Sequence, residues 1–115
     1  MSSRGSIRWI VLTPVEPDRR EDFEAFIRTV VVPVVQEVRP EDVDSWYTLR
    51  AAEPDGGGPP VYAFVFSGDH PVEYWYLGPV FEEAYGAEEA ERLERQFGDM
   101  LAGEQQVLSF SGEVA

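Results

Sequence analysis

A few side chains in this sequence are of types that could do chemistry, and none has an obvious partner nearby in the chain. His70 is the only histidine, and histidine alone among side chains has an unperturbed pKa near neutrality. It follows an aromatic, β-branched run, so it is placed to act as a general acid or base at the mouth of a pocket. The plainer reading is that Asp69-His70-Pro71 simply starts a helix, with Asp69 as N-cap and Pro71 in the first turn. Glu73 lies three residues on, but two ligands with no second histidine and no cysteine are too few for a metal. One histidine is also too little to argue for haem ligation. No metal and no other cofactor is expected from these residues.

Tyr74-Trp75-Tyr76, with Phe81 and Tyr85 beyond, forms the densest aromatic cluster. Three consecutive aromatics on a helix cannot share a face. At least one either meets solvent or reaches over a pocket as part of a lid. Trp46, Tyr47 and Tyr62 add aromatic surface on the flanking strands, where they would either line a ligand cavity or fill a core. Arg28 and Arg50 stand out in an acidic chain: each could anchor an anionic or carbonyl group, or pair with the abundant acids. There is no hydrolase triad and no nucleophile elbow.

The element that must position these groups is the stretch 18–38. Its apolar residues Phe23, Phe26, Ile27, Val30, Val31, Val34, Val35 and Val38 fall on one helical stripe. Pro33 lies off that stripe and lacks an N–H, so the spacing predicts a kinked helix rather than a broken one. Residues 7–13 read as a first strand, apolar on both faces, with Trp9 and Val11 on one and Ile10 and Leu12 on the other. Residues 39–42 read as a turn and 45–50 as a second strand. The glycines at 56–58 lead into a strand rather than a helix, which favours a hairpin connection over a phosphate cradle. Residues 61–67 are the most hydrophobic strand, hence central. The segment 68–86 is expected to hold a short helix over 72–77, interrupted at Gly78-Pro79, then another over 79–85 closed by Gly86. A firm helix over 88–101, capped by Gly103, and a last strand over 105–110 complete the chain.

With 115 residues the expectation is one domain, with residues 1–5 a frayed end. Nine basic against 22 acidic residues give a net charge of −13, which repels phosphate backbones and anionic headgroups. Nucleic acid and membrane surfaces are therefore not expected partners. With no targeting signal and no stretch of membrane-spanning length, the default expectation is a soluble cytoplasmic protein.

The order strand, helix, strand, strand, helical region, strand predicts an α+β fold, the ferredoxin-like split βαβ. It has a four-stranded antiparallel sheet with helices on one face. Strands apolar on both sides then need a cover for the second face, and a second copy of the chain is the simplest one. The first strand leading into PDRREDFEAFIRTVVVPVVQ, and LGPVFEEAYGAEEAERL before the last strand, resemble the dimeric α/β-barrel superfamily over nearly the whole chain. The resemblance is one of pattern and topology, and no motif is diagnostic of one activity. It implies a homodimer with a pocket between sheet and helices, closed by the segment after the third strand. The superfamily includes cofactor-independent monooxygenases, cyclases and isomerases, among them enzymes of polyketide pathways, and haem-dependent enzymes. The expectation is a homodimer holding a hydrophobic, aromatic small molecule, with His70 catalytic and Trp46, Tyr47, Tyr62, Tyr74, Trp75, Tyr76, Arg28 and Arg50 contacting the ligand. The alternative is a non-catalytic binding or dimerisation module with a filled core; the residues alone do not decide between them.

Overall fold

A computed structural model of the chain describes residues 7–50, 52, 58–112 and 114. The expected frayed start at 1–5 and the glycines at 56 and 57 lie outside the described residues. Four strands, β1 (Ile7–Pro14), β2 (Trp46–Leu49), β3 (Val61–Ser67) and β4 (Gln106–Ser109), form one sheet in the order β2-β3-β1-β4. Every pairing is antiparallel. With helices on one face, this is the ferredoxin-like split βαβ fold that the element order predicts. β1 and β3, the two strands richest in β-branched and aromatic residues, are the central pair.

The long helical stretch begins with a 3-10 turn at Pro17–Arg19, continues as α1 (Arg20–Phe26), and resumes as α2 (Val32–Val38). Between them Ile27–Val31 is a π-helical turn, in which the Val32 N–H donates to the Ile27 carbonyl. Pro33 is thus accommodated by one widened turn just upstream of it. Its missing N–H would have bonded the Thr29 carbonyl. Thr29 in turn donates its hydroxyl to the Ala25 carbonyl at 2.7 Å. Pro33 is exposed, and the stripe stays buried on both sides of the π turn, with Phe23, Phe26, Ile27, Val31, Val34 and Val35 all in the core.

The core lies between this stripe and the sheet residues Tyr62, Phe64 and Phe66, closed by Phe81, Leu93, Phe97 and Met100 from the second helical layer. That layer corrects several expected boundaries. Residues Val72–Trp75 form only a 3-10 turn, capped by the backbone of Pro71 with no side-chain cap, so Asp69 is not an N-cap. Gly78-Pro79 lies in the first turn of α3 (Leu77–Tyr85) instead of interrupting a helix, a position where proline's missing donor is not needed. Gly86 ends α3 at φ 91°, where a side chain would be strained. α4 (Ala87–Asp99) then ends at Met100, not at Gly103.

The other sheet face carries Leu108, Ile10, Val65 and Tyr47, aligned in a row across all four strands. Beside them Leu49 is 51% exposed and Val61 43%. No described helix is long and apolar enough to cross a membrane.

Candidate functional site

Between the helix-facing side of the sheet and residues 72–80 the structure encloses a cavity of about 280 Å³. Its floor is Val11, Trp46, Phe64 and Phe66, each on the helix face because alternate strand residues point the same way. Val31 and Val35 form one wall, and Trp75, Tyr76 and Leu77 form the roof. Trp75 stacks on Phe66 with centroids 4.8 Å apart and rings 23° from parallel, tying roof to floor. Tyr76 and Val107, 48% and 46% exposed, also line the space, so it communicates with solvent at their side. An apolar cavity of about 150 Å³ holds benzene, so this one has room for a two-ring aromatic.

At the cavity's edge is a polar cluster centred on Asp42, only 6% exposed. The Tyr74 hydroxyl donates to Asp42 Oδ2, and His70 Nε2 lies 3.9 Å from Asp42 Oδ1. The His70 and Tyr74 rings stack 3.7 Å apart and nearly parallel. Arg39 sits 4.8 Å from the Tyr74 ring and holds Glu83 at 2.7 Å. Burial, and then the Asp42 carboxylate, push the Tyr74 phenol up to about 12. Trp9 Nε1 donates to the His70 carbonyl at 2.9 Å, which fixes the backbone at that position. His70 itself does not line the cavity; its neighbours Tyr74 and Trp75 do.

A second polar cluster lies at the opposite end of the sheet, around Glu24 on α1. Arg50 Nη2 and Nε donate to the Glu24 carboxylate at 2.8–3.1 Å. The Tyr62 hydroxyl donates to it at 2.6 Å, and Arg28 Nη1 is 3.8 Å away. These partners, Arg50 first and Tyr62 second, hold Glu24 down to about 2. Burial raises the Tyr62 phenol.

The structure therefore brings together Trp46, Tyr74, Trp75 and Tyr76 around one cavity, with His70 beside it. It gathers Arg28, Arg50 and Tyr62 on Glu24 instead, and puts Tyr47 on the outer face of the sheet. Sequence reasoning missed Asp42, Arg39 and Glu94. Asp42 lay in a stretch read only as a turn, and nothing local signals its burial. Glu94 did leave a signal: it sits at i+4 from Ala90 and i−3 from Phe97, at the exposed edge of the stripe that buries Ala90, Leu93 and Phe97. Among the described residues no group of three or more His, Cys, Asp or Glu side chains converges as a metal site would.

No family model and no curated protein matches the chain. Among solved structures it is similar to a monooxygenase from the gene ActVA-Orf6 of Streptomyces coelicolor, determined in complex with the ligand nanaomycin D. The TM-score is 0.53 at 15% identity, over 99% of this chain and 95% of that one. At that identity the likeness shows the fold alone: the ferredoxin-like architecture.

Proposed function

We propose that this protein binds a hydrophobic, planar aromatic molecule between its sheet and residues 72–80, and that it does so as a homodimer. The observation that carries the reading is the cavity itself, floored by Trp46, Phe64 and Phe66 and roofed by Trp75 and Tyr76. A module with a filled core would have no such space. The fold neighbour is a monooxygenase crystallised with an organic ligand, which is consistent with a small-molecule site in this architecture. His70, beside the buried Asp42 carboxylate, is the group for proton transfer in a cofactor-independent oxygenation, cyclisation or isomerisation of a polyketide-like aromatic. One observation favours a second reading, binding without turnover: the His70 side chain flanks the cavity and does not line it.

The test is titration with a hydroxynaphthoquinone such as juglone. Tryptophan fluorescence should change saturably in the wild type and much less in Trp75→Phe, while calorimetry shows both proteins binding. Absence of saturable binding to either would overturn the reading. The dimer rests on Tyr47, Leu49 and Val61, exposed apolar residues of the outer sheet face, which a second sheet would cover. Sedimentation should give twice the chain mass at micromolar concentration, and Leu49→Glu should shift it toward monomer; a wild-type monomer would refute it.

A further inference from the structure

We infer that Glu94 is the ligand-contacting carboxylate of this cavity, selecting neutral aromatics that carry a hydroxyl over their carboxylated analogues. The inference rests on the cavity being a ligand site. Glu94 lines it from the exposed edge of α4, beside the stripe on which Ala90, Leu93 and Phe97 are buried. The other acids of that helix behave differently: Glu89 pairs with Arg92 and Glu91 with Arg95. Among the described residues Glu94 has neither a hydrogen-bond donor nor a cation. The other charged side chain lining the cavity, Arg39, is engaged by Glu83 at 2.7 Å. Glu94 is therefore the lining charge without a counter-ion, at the solvent-facing side of the cavity.

Although Glu94 is exposed, its carboxylate lies against α3. A Cβ placed on Gly78, which is buried in the first turn of α3, would come within 2.6 Å of Glu94 Oε1, 2.8 Å of Cδ and 3.0 Å of Oε2. The whole carboxylate thus lies against a residue with no side chain, where α3 starts over the cavity. A carboxylate is an acceptor only. Against an apolar, aromatic wall it is complemented by a ligand O–H and opposed by a second anion, for which desolvation and repulsion act together.

Isothermal titration with three probes of matched shape tests this: naphthalene, 1-naphthol and 1-naphthoate. The wild type should bind 1-naphthol at least several-fold more tightly than naphthalene, and 1-naphthoate most weakly. In Glu94→Gln, which keeps the size and removes the charge, the penalty on naphthoate should fall by about tenfold and the naphthol preference should shrink. Gly78→Ala, whose backbone conformation accepts a side chain, should push the carboxylate aside and shrink the naphthol preference with the fold intact by circular dichroism. If none of the three probes binds the wild type, the cavity reading itself fails. If all bind but their ranking is the same in wild type and Glu94→Gln, the cavity reading stands and the role of Glu94 is overturned.

Discussion

The two ends of the helix–sheet interface are made from the same kinds of residue and do different things. At one end Phe23 meets Tyr62, Phe64 and Phe97 with ring centroids 4.8–6.3 Å apart, and the space is full. At the other end Phe66 and Trp75 stack on each other and leave about 280 Å³ beside them. Each end also has a carboxylate that accepts a tyrosine hydroxyl. Glu24 has arginines as well, and its acceptor capacity is taken up. Asp42 has Tyr74, with His70 held at 3.9 Å, beyond hydrogen-bond reach. A carboxylate–tyrosine pair is therefore not in itself a sign of a site. What it borders, and what remains unsatisfied around it, separates the structural pair from the functional candidate.

The largest effect should come from truncating the filled end. Phe23→Ala removes a ring with 0% exposure, and loss of a core phenylalanine costs about 3–5 kcal/mol. Val72→Ala, on the half-buried rim of the cavity, should cost less than about 1 kcal/mol, because the space it opens joins one already there. Urea unfolding of both variants measures the contrast. Equal losses would mean that the hollow end collapses around whatever is removed, and the distinction between the ends would disappear.

Next in size is the buried carboxylate. Asp42→Ala leaves the Tyr74 hydroxyl without its acceptor, at a cost of about 1–3 kcal/mol. Asp42→Asn should lose less, since an amide oxygen still accepts that hydrogen bond. A nearly neutral Asp42→Ala would indicate that Tyr74 turns to solvent, and that the rim of the cavity is more mobile than its contacts suggest.

The two carboxylate–tyrosine pairs should also separate on a pH axis. Glu24 is held down from 4.5 to about 2, so the stability it contributes is complete above pH 4.5 and is lost as pH falls through about 2. Tyr74 is raised from 10.0 to about 12, so its contribution is complete below pH 10 and is lost as pH rises through about 12. Glu24→Gln should flatten the acid limb of the stability curve and leave the alkaline limb. Tyr74→Phe should weaken the alkaline limb only in part, because burial raises Tyr62 as well. An acid limb unchanged by Glu24→Gln would contradict the assignment.

Much of the fold could be read from the sequence because periodicity reports burial directly. The stripe from Phe23 to Val38 needed a flat apolar partner, and the β-branched, aromatic runs at 7–13 and 61–67 supplied it. Four of the cavity's aromatics were legible through the crowding of Tyr74-Trp75-Tyr76 and the placement of Trp46. Arg28, Arg50 and Tyr62 were grouped with them on residue type alone. Their convergence on Glu24 depends on how α1 crosses the ends of β2 and β3, which no local pattern encodes. Asp42 was invisible for a related reason, since its burial comes from residues 28–32 positions away in the chain. Glu94 was visible but passed over, because a single acid beside an apolar stripe looks like ordinary surface until its position against Gly78 is known.

The smallest expected effect concerns the joint between the two ends. α1 delivers Phe23 and Phe26 to the filled end, and α2 delivers Val35 to the cavity wall, with the π turn at Ile27–Val31 between them. The buried pairs of the stripe recur at a spacing slightly longer than the 3.6 residues of an α-helical turn. A uniform α-helix would carry its far end off the sheet; one widened turn restores the alignment. Two causes for that turn are then distinguishable. If Pro33 forces it by withholding an N–H, Pro33→Ala should let residues 27–31 return to α geometry. That would rotate Phe23 and Phe26 by roughly 100° about the helix axis and expose rings that are 0% and 3% accessible. Burial of two phenylalanines outweighs one regained hydrogen bond of about 1 kcal/mol. Pro33→Ala should therefore keep the π turn, keep its stability within about 1 kcal/mol of wild type, and leave juglone affinity unchanged. Backbone chemical shifts over residues 25–35 would show the turn, and urea unfolding the stability. A switch to uniform α-helix shifts, with altered juglone affinity, would mean that the proline and not the sheet sets the register on which the cavity depends.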